Sequence, residues 1–135
     1  IMKKAGIWLD QKEAKVITLA DDSEEIKTIY SQIETRERIP GESKIYGRFG
    51  KQYLNDEKTK EIKIDAQLKR YLNEVIQTLE DKDELMIFGP GKTKKELEKL
   101  IRDHPKMYAR LKEIRIAKQM TENQKVAYVK DFFAN

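Results

Sequence analysis

The spacing of apolar residues changes partway along this chain, and a fold built from one kind of element cannot satisfy both spacings. Ala5-Gly-Ile-Trp-Leu9 is a short apolar run closed by Asp10-Gln11, and Glu13 to Leu19 then alternates until Asp21-Asp22-Ser23. Such runs, bounded by turn residues, predict two strands joined by a tight turn. Glu24 to Ile33 extends the pattern into a third strand, with Ile26 and Tyr30 on one side and Ile29 and Ile33 on the other. Helical spacing takes over at Ile64, Leu68, Tyr71, Leu72, Val75, Ile76 and Leu79, a stripe that buries one face of a long helix.

Strand and helix then alternate. Leu85-Met-Ile-Phe88 reads as a buried strand that runs through Gly89-Pro-Gly91 into a helix with Leu97, Leu100 and Ile101 on its apolar face. Thr93 and Glu96 have the spacing of a capping box, in which each side chain satisfies a backbone N–H of the first turn. That helix is expected to end near His104-Pro105, with one more turn over Met107 to Leu111 and a fifth strand from Glu113 to Ala117. Thr121 and Gln124 repeat the capping signal ahead of a last helix carrying Val126, Val129, Phe132 and Phe133. The order β-β-β-α-β-α-β-α predicts an α/β fold. Hairpin-connected strands pair antiparallel and crossover helices make neighbours parallel, so the sheet is expected to be mixed and five-stranded, as in ribonuclease H-like folds.

At 135 residues the chain fits one domain, long enough to remove roughly two-thirds of its unfolded surface from water. Met2 has the character of a natural start, and residues 2–135 are the expected domain. Its composition is 39% hydrophobic and 39% charged, enough for one core beneath a densely charged surface. With 28 basic and 24 acidic residues the net charge is only +4, so any nucleic-acid footprint has to be local. The absence of cysteine removes disulfides and thiolate chemistry, and a single histidine leaves little for zinc; no metal or cofactor is expected. Ile1 to Asp10 holds no apolar run long enough for a signal peptide or a membrane span, which makes the cytoplasm the expected compartment.

Between about residues 34 and 58 the periodicity disappears, and Pro40-Gly41, Gly47 and Gly50 interrupt a charged stretch expected to form a long loop. Loops of this length inside a compact domain are uncommon and usually functional or disordered. Within it, Lys44-Ile-Tyr-Gly-Arg-Phe-Gly-Lys-Gln-Tyr53 has three basic residues, three aromatics, two glycines and no acid. Lys44, Arg48 and Lys51 can neutralise phosphates, while Tyr46, Phe49 and Tyr53 can stack on unpaired bases. The same aromatics could instead pin a surface loop onto the domain, leaving the cations as ordinary solvated charges.

Other constellations are weaker. Gly89-Pro-Gly-Lys-Thr93 joins a strand to a helix N-terminus, but a nucleotide-hydrolysing phosphate loop requires its first glycine at position 86, which is Met86. Asp10, Glu74 and Asp131 occupy three of the positions where two-metal nucleases carry carboxylates, yet the fourth falls on Gly89-Pro90. His104, before Pro105 at a helix end, suits a structural role.

Gly6 to Val16, Met86 to Leu97 and Met120 to Gln124 together resemble a family of small bacterial proteins related to the central domain of archaeal and eukaryotic class I release factors and of Pelota. The resemblance spans nearly the whole chain and implies the release-factor central-domain fold. In release factors the long loop after the early strands carries a Gly-Gly-Gln tripeptide that helps water cleave peptidyl-tRNA. Here Gly47-Arg48 is followed by Gly50-Lys51-Gln52, so the resemblance assigns any catalysis to Gly50 and Gln52, with a lysine where the second glycine would stand. Pelota implies that such a domain can serve at the ribosome without that tripeptide.

Three functions follow as expectations. The first is a ribosome- or tRNA-associated factor that contacts RNA through Lys44 to Tyr53, helped by Arg36, Arg38 and a basic face containing Lys63, Lys69 and Arg70. The second is hydrolysis of peptidyl-tRNA or a related ester through Gly50 and Gln52. The third is a protein-interaction module that does not bind RNA.

Overall fold

A computed structural model describes residues 1–33 and 50–134, with side chains described from residue 56 onward in the second stretch. Strands β1 (Lys3–Leu9), β2 (Glu13–Ala20) and β3 (Ser23–Tyr30) open the fold, followed by helix α1 (Gly50–Gln77) and strand β4 (Glu84–Gly89). Helices α2 (Thr93–Arg102) and α3 (Pro105–Tyr108) lead to strand β5 (Leu111–Ile116), and helix α4 (Glu122–Ala134) closes it.

The sheet order is β3-β2-β1-β4-β5. β1 and β2 pair antiparallel, as do β2 and β3, whereas β4 runs parallel to both β1 and β5. This is the expected mixed five-stranded α/β architecture, with α3 as the extra turn foreseen near Met107.

Because β1 and β4 sit at the centre with helices on both faces, both parities of their side chains are buried, which is why each reads as an unbroken apolar run. Ala5, Ile7, Leu9, Leu85 and Ile87 point to one face, where Tyr71, Leu72 and Val75 of α1, Leu79 in the turn after it, and Leu97 and Ile101 of α2 cover them. Trp8, Met86 and Phe88 point the other way, onto Val126 and Val129 of α4. Gly6 belongs to this second face, and a Cβ there would overlap Val129 Cγ2, so its bare backbone is what lets α4 approach the sheet.

The edge strands are covered less completely. On β3 only Ile29 is buried, and Ile26 and Tyr30 remain exposed because α4 does not reach across them. On β5, Ile114 is half-buried beneath the helices, but Ile116 is 84% exposed where the strand runs past them.

Two expectations are corrected. The loop expected to continue to residue 58 gives way to helix at Gly50. No amphipathic stripe marks residues 58–63 because they stand in solvent beyond the core and have no buried face. The second correction concerns the capping box. Thr93 is the first residue of α2 and not its cap, because Lys92 takes the capping position with a helical backbone and no side-chain hydrogen bond. The Thr121 signal does work as expected: Gln124 N–H donates to Thr121 Oγ1 at 3.2 Å, and Thr121 N–H donates to Gln124 Oε1 at 2.9 Å.

Candidate functional site

The carboxyl ends of β1 and β4 lie side by side where the sheet changes from antiparallel to parallel pairing. Open α/β sheets place ligand crevices at such switch points. A cleft of about 680 Å³ opens there, bordered by Asp10 to Lys12 after β1, Pro90 to Thr93 after β4, and Gln119. Ser31 and Ile33 after β3 and Ile64 and Leu68 of α1 complete it.

Asp10 shapes the first wall. Its Oδ1 accepts the amides of Lys12 at 2.8 Å and Glu13 at 2.9 Å, and its Oδ2 accepts Gln119 Nε2 at 2.8 Å. The Asp10 carbonyl accepts the Tyr71 hydroxyl at 3.0 Å. Burial, and then the charges of Asp10 and Glu13, push the Tyr71 phenol far above its ordinary pKa, so it remains a neutral donor. Asp10 is therefore held as a turn residue. Glu74 on α1 and Asp131 on α4 lie on helices that cover opposite faces of the sheet, so the three carboxylates do not converge. Among the described residues no group of three or more His, Asp or Glu side chains has a metal-holding arrangement.

The second wall is the turn into α2. Gly89 has φ +151°, and a Cβ there would overlap the carbonyl oxygen of Leu9, so the end of β4 can lie against β1 only with glycine. Gly91 has φ +65° in open space. The Lys94 ammonium folds back to donate to the Gly91 carbonyl, holding the turn against the helix, and its side chain is buried.

Behind β1, on the α4 face, the Lys125 ammonium lies 3.5 Å from the centroid of the buried Trp8 ring. Burial lowers its pKa, and the Glu13 carboxylate, 4.0 Å away, opposes that effect. Sequence reasoning missed this pair. Two buried residues on neighbouring elements with no shared spacing leave no periodic signal. A second hollow of about 550 Å³ was also missed, where Lys4, Glu84, Arg115 and Asp131 surround Tyr128 and Phe132. Its Arg115 guanidinium sits 4.9 Å from the Phe132 ring centroid.

The sequence-predicted binding residues are only partly placed. Lys44, Tyr46, Arg48 and Phe49 lie outside the described residues, as do Arg36 and Arg38. Gly50, Lys51, Gln52 and Tyr53 form the first turn of α1, with side chains outside the described ones. Residues 34–49 connect Ile33, at the cleft, to Gly50, about 21 Å along α1 from Ile64 at 1.5 Å per residue. Lys63, Lys69 and Arg70 are exposed on α1, and Lys63 and Arg70 share their side of the helix with the exposed Asp56 and Glu74, so that side is mixed in sign. His104 is exposed, and its backbone links α2 to α3: its N–H donates to Ile101 O at 2.8 Å and its carbonyl accepts Tyr108 N–H at 2.9 Å. No helix among the described residues is long and apolar enough to cross a membrane.

No family model matches the sequence, and neither does any curated protein. Among solved structures, Pelota of Archaeoglobus fulgidus matches over 96% of this chain and 31% of its own, with a TM-score of 0.57 and 13% identity. The archaeal translation termination factor aRF1 matches over 98% of this chain and 39% of its own, with a TM-score of 0.54 and 12% identity. This chain thus spans about a third of the length of each, and its fold is similar to that of one part of Pelota and of aRF1.

Proposed function

We propose that this chain works in translation as an RNA-binding factor, contacting ribosomal or transfer RNA through Lys44, Tyr46, Arg48, Phe49, Lys51 and Tyr53. The observation that carries this reading is the fold shared with Pelota and an archaeal termination factor, two translation proteins, over nearly all of this chain. The basic-aromatic segment follows β3 in sequence and runs into the first turn of α1, and it has the residue types that neutralise phosphates and stack on bases. Arg36, Arg38 and the exposed cations of α1 add to the attraction. A translation role also entails the cytoplasm as the compartment.

The test is binding to ribosomes and to tRNA across a salt series. Affinity is expected to fall steeply with salt. Replacing Arg48 and Lys51 with alanine should weaken it and reduce the log–log slope by about two, one for each lost phosphate contact. Binding that ignores salt, or is unchanged in that double variant, overturns the reading. Release of peptide from ribosome-bound peptidyl-tRNA that disappears in Gln52→Ala would instead make the chain a hydrolase acting through Gly50 and Gln52. Partners that survive nuclease treatment in a pull-down, without RNA binding, would make it a protein-interaction module.

A further inference from the structure

The geometry points to a ligand site that the basic-aromatic segment does not explain: the cleft at the start of α2 binds a nucleotide, its phosphate on the Gly91 to Lys94 backbone and its base on the apolar wall. None of these residues belongs to the segment proposed to bind RNA, so the inference stands apart from that reading.

The turn supplies the phosphate cradle. Gly91 is in the left-handed region and Lys92 in the right-handed one, with φ −95° and ψ −14°. Successive residues of opposite hand turn consecutive N–H groups toward one point and form an anion-binding concavity. The amides of Gly91, Lys92, Thr93 and Lys94 have no acceptor among the described residues; the first amide turned into the helix is that of Lys95, which donates to Lys92 O at 3.0 Å. The ten-residue α2 adds the positive end of its dipole at the same place.

Thr93 is the independent sign that something is to be bound. Its side chain is 5% exposed, it lines the cleft, and its hydroxyl has no hydrogen-bond partner among the described residues. Among the described residues the only fully enclosed side-chain polar atom without a partner is Trp8 Nε1, so the Thr93 oxygen is open to the cleft. As α2 does not use it as a cap, that hydroxyl is available to a phosphate oxygen there. Lys12 and Lys92 border the same space, while Asp10, the one carboxylate among the described lining residues, is already engaged by two amides and Gln119.

The apolar lining identifies the rest of the ligand. Ile33, Ile64 and Leu68 line the same cleft with apolar surface, and a bare inorganic anion would leave it unused. A nucleoside phosphate presents a flat, largely apolar base at one end and a dianion at the other. The volume lies within the roughly 300–1,000 Å³ that small-molecule sites occupy. The nucleotide can be a free mononucleotide or the 5′-phosphorylated end of an RNA.

Titration of the isotope-labelled chain, followed by amide resonances, tests this with four probes: inorganic phosphate, adenosine, adenosine 5′-monophosphate and a 5′-phosphorylated trinucleotide. The monophosphate is expected to move the amides of Gly91 to Lys94, adenosine to leave them unmoved, and inorganic phosphate to bind at least tenfold more weakly than the monophosphate. Thr93→Val keeps the shape of the side chain and should weaken monophosphate binding about fivefold, the scale of one lost hydrogen bond. Lys92→Ala, on the surface, should weaken it by a similar factor, and it remains informative if Thr93→Val fails to fold. Tighter binding of the trinucleotide assigns the site to an RNA end, and tighter binding of the monophosphate to a free nucleotide. The inference is overturned if the four amides stay still at millimolar monophosphate, if adenosine or phosphate alone binds as well, or if Lys92→Ala changes nothing. If Lys92→Ala weakens the monophosphate while the Arg48 and Lys51 variant still binds ribosomes normally, the cleft stands and the RNA-contact reading falls. The reverse pattern retains that reading and removes the cleft.

Discussion

Replacing Gly6 with alanine is expected to loosen α4 from the sheet, and the size of the effect follows from what the new methyl would meet. A Cβ at Gly6 overlaps Val129 Cγ2 and lies 2.9 Å from Cγ1 and 3.1 Å from Cβ of the same fully buried side chain. The conflict is with the branch point of a stiff residue in the middle of α4, so relief requires the helix to move. Overpacking of this kind costs about 1–3 kcal/mol. Alanine recovers roughly 0.5–1 kcal/mol over glycine in a strand, leaving a net loss of about 1–2 kcal/mol. Val129→Ala alone removes two buried methyl groups and leaves space behind, at about 2–3 kcal/mol. In the double variant the clash is gone and the new methyl fills part of the void, so the loss should fall short of the sum by about 1–2 kcal/mol. Urea unfolding followed by the fluorescence of Trp8, the only tryptophan and a member of the same packed layer, measures all three variants. Additivity within about 0.5 kcal/mol, or a Gly6→Ala chain as stable as its parent, would refute the close-approach argument.

Other outcomes follow from single interactions. Thr121→Ala removes the acceptor for Gln124 N–H and should lower stability by about 1 kcal/mol, with Thr121→Ser restoring most of it in the same urea assay. Lys125 is more easily deprotonated folded than unfolded, so between its lowered pKa and the ordinary 10.5 the unfolded chain holds more protons and stability rises with pH. Urea midpoints from pH 7 to 11 should show that rise for the parent minus Lys125→Met, with the variant at least as stable at pH 7; a flat difference would contradict the burial argument. Hydrogen bonds from Lys82 and then Lys3 lower the Asp81 pKa to about 2, so its stabilisation is present above about 4 and is lost as pH falls through about 2. Asp81 is 57% exposed, and Asp81→Asn should therefore cost under about 0.5 kcal/mol at low salt and nothing measurable at 1 M salt.

Much of the fold was legible because burial leaves periodic marks. β1 and β4 are buried on both faces and read as continuous apolar runs; α1 from Ile64 onward is buried on one face and reads as a stripe. Where an element meets no core the mark vanishes, and the exposed residues 58–63 of α1 carry no stripe. The two Thr-based capping signals had the same spacing and different outcomes. Thr121 faces water and is free to cap, whereas Thr93 is drawn into the packed base of α2 by the turn that Gly89 and Gly91 permit.

Of the candidate sites, the basic-aromatic decapeptide was visible as composition alone, since charge and aromatic content are local properties of a stretch of chain. The cleft was not visible. Its walls come from positions as distant as Lys12, Ile64, Lys92 and Gln119, and only the switch from antiparallel to parallel pairing between β1 and β4 gathers them. The Lys125–Trp8 contact has the same origin, because Gly6 brings α4 down onto the sheet. The sequence by itself therefore determined the elements and their order, since each depends on residues a few positions apart. Which faces stay open, which hydroxyl goes unpartnered and which charges share a cleft were decided by tertiary packing, which sets distances between residues that no local pattern relates.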